Sequence, residues 1–162
     1  MKKIIKLLTG TLLTALLLFS ASCKKSDPGP SLRTSTQWTF DGISYNSTTT
    51  SVNSVQNSYF GTDGSGNNQP TIDILFGSGI PSDGTYTYNI ADASAPLSSI
   101  QCRIEVETTN SIWFTSVAGT GNIVTVKVSG GKVTAALKNV TVANYNNGTT
   151  LKSVSGTLVQ NQ

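Results

Sequence analysis

From about Gln37 onward, apolar and polar residues alternate with a period of two, in short runs separated by turn residues. That period belongs to strands with one face buried and one in water. The clearest case is Ile100 to Glu107. Ile100, Cys102, Ile104 and Val106 share one parity; Gln101, Arg103, Glu105 and Glu107 share the other. Thr71 to Phe76 places Ile72, Ile74 and Phe76 together, and Gly84 to Ile90 does the same for Tyr86, Tyr88 and Ile90. Ile123 to Ser129 aligns Val124, Val126 and Val128. Gln37 to Phe40 and Ile43 to Tyr45 flank Asp41-Gly42, a dipeptide suited to the two positive φ angles of a tight hairpin. Ser58 to Gly61, Ser111 to Val117 and Thr150 to Val159 complete the set. Asn46 to Asn57 is rich in Ser and Thr and reads as irregular or a weak edge strand.

The run Lys132 to Tyr145 slips phase. Val133, Ala135 and Leu137 share one parity, while Val140 and Val142 take the other. One extra residue near Lys138-Asn139, a β-bulge, restores the alternation. No stretch past the leader repeats with a helical period. Nine or ten short strands joined by turns predict an all-β domain, and their unequal lengths favour an antiparallel β-sandwich over residues 37–162.

The first 22 residues follow a different rule. Lys2, Lys3 and Lys6 precede an apolar run, Leu7 to Phe19, and small residues Ser20-Ala21-Ser22 lead to Cys23. A basic head, a short apolar middle and small residues at the cut describe a secretory signal peptide. The run is shorter than the roughly 20 residues of a bilayer-spanning helix. Residues 23–36 hold two prolines, a glycine, charges and hydroxyls, and read as a flexible tether.

Composition narrows the function classes. The formal charge of +3 falls to zero once Lys2, Lys3 and Lys6 leave with the leader. No basic footprint for nucleic acid remains. Histidine is absent, which removes the commonest acid–base catalyst and transition-metal ligand. Beyond Cys23 the only cysteine is Cys102, so no internal disulfide forms. Its parity makes it a small buried apolar group. No cofactor and no metal site is expected. The loop Asp63 to Asn68 offers oxygens but reads as a turn.

Ser20-Ala21-Ser22-Cys23 resembles the lipobox of bacterial lipoproteins, although Ser20 stands where the strict form prefers Leu. With Lys24-Lys25-Ser26-Asp27 behind it, the leader resembles those of small all-β lipoproteins of the Bacteroidetes type. The resemblance implies diacylglycerol on the Cys23 sulfur, membrane attachment through that lipid, and an outer-membrane address with surface exposure.

Candidate chemistry is sparse. Glu105 and Glu107, two apart on one strand face, read as solvated and offset by Arg103. Asp73, out of parity with Ile72 and Ile74, reads as facing solvent. Among the aromatic residues, Trp38, Tyr86 and Tyr88 have apolar companions and read as core. Trp113, flanked by Ile112 and Phe114, is the first candidate for an exposed ligand-binding surface, with Tyr59 as a second. The expected function is a non-catalytic, lipid-anchored binding or interaction module for a glycan, peptide or partner protein. A structural envelope lipoprotein without a small ligand is the alternative. A carboxylate-based hydrolase ranks last.

Overall fold

The computed structural model describes residues 36–64, 69–119 and 122–162. The leader, Cys23 and the tether up to residue 35 lie outside them, as does 65–68 of the Asp63 to Asn68 loop.

Ten strands follow one another: β1 (Gln37–Phe40), β2 (Ile43–Asn53), β3 (Ser58–Asp63), β4 (Thr71–Phe76), β5 (Gly84–Ile90), β6 (Gln101–Glu107), β7 (Trp113–Ser116), β8 (Ile123–Ser129), β9 (Lys132–Asn144) and β10 (Leu151–Val159). The all-β expectation holds. Two separate sheets do not form, however. All ten strands belong to one sheet in the order β10-β1-β2-β3-β4-β6-β5-β8-β9-β7, and a β10–β9 pairing closes it on itself. The sheet is mixed, because β5 and β6 pair parallel at Asn89–Gln101 and Ile90–Cys102. The remaining pairings are antiparallel.

Closure depends on two long strands that turn the ladder where a sandwich would break. β9 pairs with β10 along one edge, and with β8 and then β7 along the other. Its bulge lies where the phase slip places it. Leu137 faces Gly156 and Val140 faces Val154, so Lys138 and Asn139 oppose Ser155 alone. Asn139 takes φ 49°, and the Ser155 hydroxyl accepts its N–H at 2.8 Å while donating to its Oδ1 at 2.8 Å. β2 carries a second bulge, since Ser47 faces Asp63 but Thr49 faces Thr62. Bulges bend a strand and increase its twist, which a closed sheet requires.

β2 is thus a full eleven-residue strand rather than the weak edge expected of Asn46 to Asn57. Its inward positions Ser47 and Thr50 are polar but satisfied. Ser47 Oγ accepts the Trp38 indole N–H at 3.0 Å, and the Thr50 hydroxyl bonds Asn161 Oδ1 at 3.0 Å.

Val, Ile and Leu from β4, β6, β8, β9 and β10 fill the interior with Trp38, Phe40, Tyr59, Phe76 and Tyr88. Asp41 and Gly42 (φ 52° and 79°) make the first hairpin, as their sequence implies. Ile100, expected inside, is exposed. It precedes β6 in a turn closed by the Gln101 N–H to Ser98 O bond at 3.0 Å. Cys102 is fully buried, and burial pushes its thiol up to about 12. Among the described residues no helix is long and apolar enough to cross a membrane.

Candidate functional site

On part of the outer face of the sheet, among the described residues, side chains are sheltered rather than solvated. Antiparallel register puts residues from five strands in a row: Phe60 beside Asp73, Asp73 beside Glu105, Glu105 beside Thr115, and Thr115 beside Ala143. Directly opposed side chains on one face have Cβ atoms about 5 Å apart. At the next position along, Trp113 faces Glu107, and the Tyr145 N–H bonds Trp113 O at 2.9 Å. Trp113 and Tyr145 are therefore neighbours across β7 and the end of β9. They are 43% and 70% exposed.

Between them lies an open groove of about 350 Å³, lined by Glu105, Trp113, Phe114, Thr115 and Tyr145. Trp113 stands at the surface because β7 can turn only one large residue inward, and Phe114 takes that place against Phe40, with ring centroids 4.9 Å apart. Tyr145 was not singled out from the sequence. The signal was present: past the bulge, Val140 and Val142 face inward, so Tyr145 faces out.

Tyr59 plays no part. It is fully buried, faces Val52 and Ile74 across its two partner strands, and offers no ring face to a ligand. Its neighbour Ser58 is fully buried as well, and Tyr59, expected to be a ligand contact, does not line the groove. Cys23, the expected lipidation site, lies outside the described residues.

Electrostatics distinguish the row. Asp73 is on the outer face, as its parity implies, but it is half-buried rather than solvated, and its Oδ1 has no hydrogen-bond partner. Burial raises its carboxyl above the ordinary range, against the favourable influence of Ser58 and the Ile74 backbone. Glu105 is also raised, first by burial and then by the charge of Asp73, with Arg103 opposing. Arg103 acts mainly elsewhere. Its guanidinium donates to Asp92 O at 3.3 Å and Ala95 O at 2.6 Å, fastening the loop before β6. Thr115 Oγ1 is shut off from water and has no partner.

These shifts have a sign. A carboxyl raised on folding holds its proton in the native state at a pH where the unfolded chain has released it, so stability falls as pH rises through the native value. Asp73→Asn is expected to stabilise the protein at pH 7 by roughly 1 kcal/mol. The gain should vanish near pH 3, where both states are protonated. Thermal unfolding at the two pH values checks this, and an equal gain at both would defeat the electrostatic account.

A second groove, of about 240 Å³, runs over Gln37, Thr39, Ser44, Ser155 and Thr157. Its lining carries no charged group. Among the described residues no cluster of three or more acidic, cysteine or histidine side chains could hold a metal.

No family model, curated protein or solved structure matches the chain.

Proposed function

We propose that this chain is a lipid-anchored module of the bacterial cell envelope that binds a glycan without transforming it. The single observation that carries this reading is the groove between Trp113 and Tyr145, with Glu105 and Thr115 at its floor. A pyranose presents an apolar C–H face and a rim of hydroxyls. Two exposed aromatic residues meet the first, and the Glu105 carboxyl group meets the second. The groove's size falls at the lower end of the range for small-molecule sites, about 300–1,000 Å³.

Geometry favours holding over cleaving. Asp73 and Glu105 stand side by side on one surface, in direct register. Glycosidase carboxyls instead flank the scissile bond.

The test is a glycan-binding screen on the full chain, repeated with Trp113→Ala and Tyr145→Ala. Each variant is expected to weaken binding roughly tenfold while leaving the melting temperature unchanged, since an aromatic contact contributes about 0.5–1.5 kcal/mol beyond area burial. A bound glycan indifferent to both substitutions would remove the groove from consideration.

The anchor is the other half of the reading. Its support is the leader, from Lys2 through the apolar run to Cys23. More than one acyl chain on a single cysteine gives stable attachment without any protein–membrane contact. Such a protein would sit at the outer membrane, displayed at the surface. Cys23→Ala is expected to release the protein from the membrane fraction or leave it unprocessed. Mass spectrometry of the wild-type mature end should find diacylglycerol on sulfur. An unmodified thiol there would refute the anchor.

A further inference from the structure

The closed sheet leaves part of one strand edge unpaired. From Gly84 to Asn89, β5 is matched residue by residue with β8, without a bulge. On its other side it meets β6 only at Asn89 and Ile90. The Asn89 N–H points that way, to Ile100 O at 3.1 Å. Main-chain groups alternate sides along an antiparallel strand, so the N–H and C=O of Thr85 and Thr87 also point away from β8. Among the described residues no strand pairs with them there. Ahead of β6 the chain turns instead, and its Ser98 carbonyl takes the Gln101 N–H. Both threonines are exposed.

The strand is held ready. The Asp83 carboxylate accepts the Gly130 and Gly131 N–H groups at 3.0 and 3.2 Å, which pins the start of β5 to the β8–β9 turn. Natural proteins guard such an edge with a charge, a proline or a bulge. Gly84 to Ile90 has none of the three.

We propose that this edge pairs with the β5 edge of a second copy of the chain, antiparallel about a two-fold axis at Tyr86. Thr85 then faces the partner's Thr87, and Thr87 the partner's Thr85, each pair exchanging both N–H···O bonds. The pattern suits a copy better than a foreign peptide. Threonine flanks Tyr86 on each side, so the axis sets threonine against threonine and tyrosine against tyrosine, both favourable cross-strand pairs. Like charges are not opposed. Lys127 lies beside Thr85 on β8 and Thr125 beside Thr87, so in the joined sheet Lys127 shares its row with the partner's Thr125. A strand that reads foreign peptides needs pockets for alternate side chains. Neither groove described above is lined by β5. A contact of this self-complementary kind closes at two copies. It is independent of the glycan groove.

Sedimentation equilibrium of the full chain should show its mass doubling as concentration rises. Thr87→Pro removes an N–H that β8 does not use, so the melting temperature should show a folded chain while the mass stays that of a monomer. Thr87→Val keeps the N–H and should dimerise as the wild type does. Oxidative cross-linking in a Cys23→Ala background, where Cys102 is buried, reads the register. Tyr86→Cys sets two thiols directly opposite in a non-hydrogen-bonded pair, within disulfide reach, whereas Thr85→Cys offsets them along the strands. The first should cross-link roughly tenfold faster. A wild-type chain that is monomeric at millimolar concentration overturns the proposal, as does a dimer that survives Thr87→Pro. If Thr87→Pro does not fold, the cross-link decides alone, and equal rates for the two cysteine variants overturn the pairing. A monomer that captures extended peptides, and loses them in Thr87→Pro, gives the edge to another protein and overturns the second copy.

Discussion

Gly156→Ala is expected to destabilise the protein by about 3 kcal/mol and lower its melting temperature by roughly ten degrees. Gly156 lies in β10 between Leu137 of β9 and Trp38 of β1, one residue past the point where the β9 bulge opposes Ser155. Its φ of 145° falls where side chains are rarely tolerated. A Cβ there would strike Gln37 O and Trp38 Cα, and would lie 2.7 Å from Trp38 Cβ. The first two are main-chain atoms of a paired strand, so they cannot rotate away. Strain and overpacking therefore add, each costing about 1–3 kcal/mol where it occurs. Because the clash is with backbone, shrinking the indole should not relieve it. Gly156→Ala should cost as much in a Trp38→Phe background as in the wild type. Urea unfolding of the four proteins gives both numbers. A Gly156→Ala loss below 0.5 kcal/mol, the scale of an ordinary surface change, would contradict this account.

The same place shows how far the sequence carries. The slip from Leu137 to Val140 in the alternating pattern located a bulge at Lys138-Asn139, and the register confirms it. β4, β5 and β8 begin and end where their alternation does, because their inward positions are all apolar or aromatic. β2 was hidden for the converse reason. Its inward Ser47 and Thr50 are polar, and partners on other segments, Trp38, Val159 and Asn161, make them acceptable there. Tyr59 was misplaced because a short strand of small and aromatic residues gives no phase by itself. The groove was half legible. Trp113 follows from its crowded neighbours, and Tyr145 from the phase of Val140 and Val142 carried to the end of the strand. The sheltered carboxyl of Asp73 was beyond reach. It depends on β3 and β6 flanking β4, and no local pattern states which strands will be neighbours in a closed sheet.

Ser116→Ala should cost about 2–3 kcal/mol, a large effect for the loss of one oxygen atom. The reason lies in how the ladder closes. β6 takes β5 as its partner at Gln101 and Cys102, then β7 from Glu105 onward. Between the two, Ile104 has its N–H facing the seam with neither strand in register. Ser116, the last residue of β7 and 1% exposed, turns its hydroxyl into that gap. Its Oγ accepts the Ile104 N–H at 3.1 Å and donates to Ala91 O at 2.7 Å. One side chain thus completes two backbone groups that no strand reaches. Alanine would strand both in an apolar interior, where each unsatisfied group costs about 1–3 kcal/mol unless water enters. Ser116→Cys has nearly the same shape and a weaker donor and acceptor, so it should fall between serine and alanine. Hydrogen exchange separates a local cause from a general loss of stability. In Ser116→Ala the Ile104 amide should lose more protection than Val106, which sits within the β6–β7 pairing. Equal loss at the two amides would mean that the seam is held by the packing of Ile104, Phe114 and Val142, and that the hydroxyl is incidental to closure.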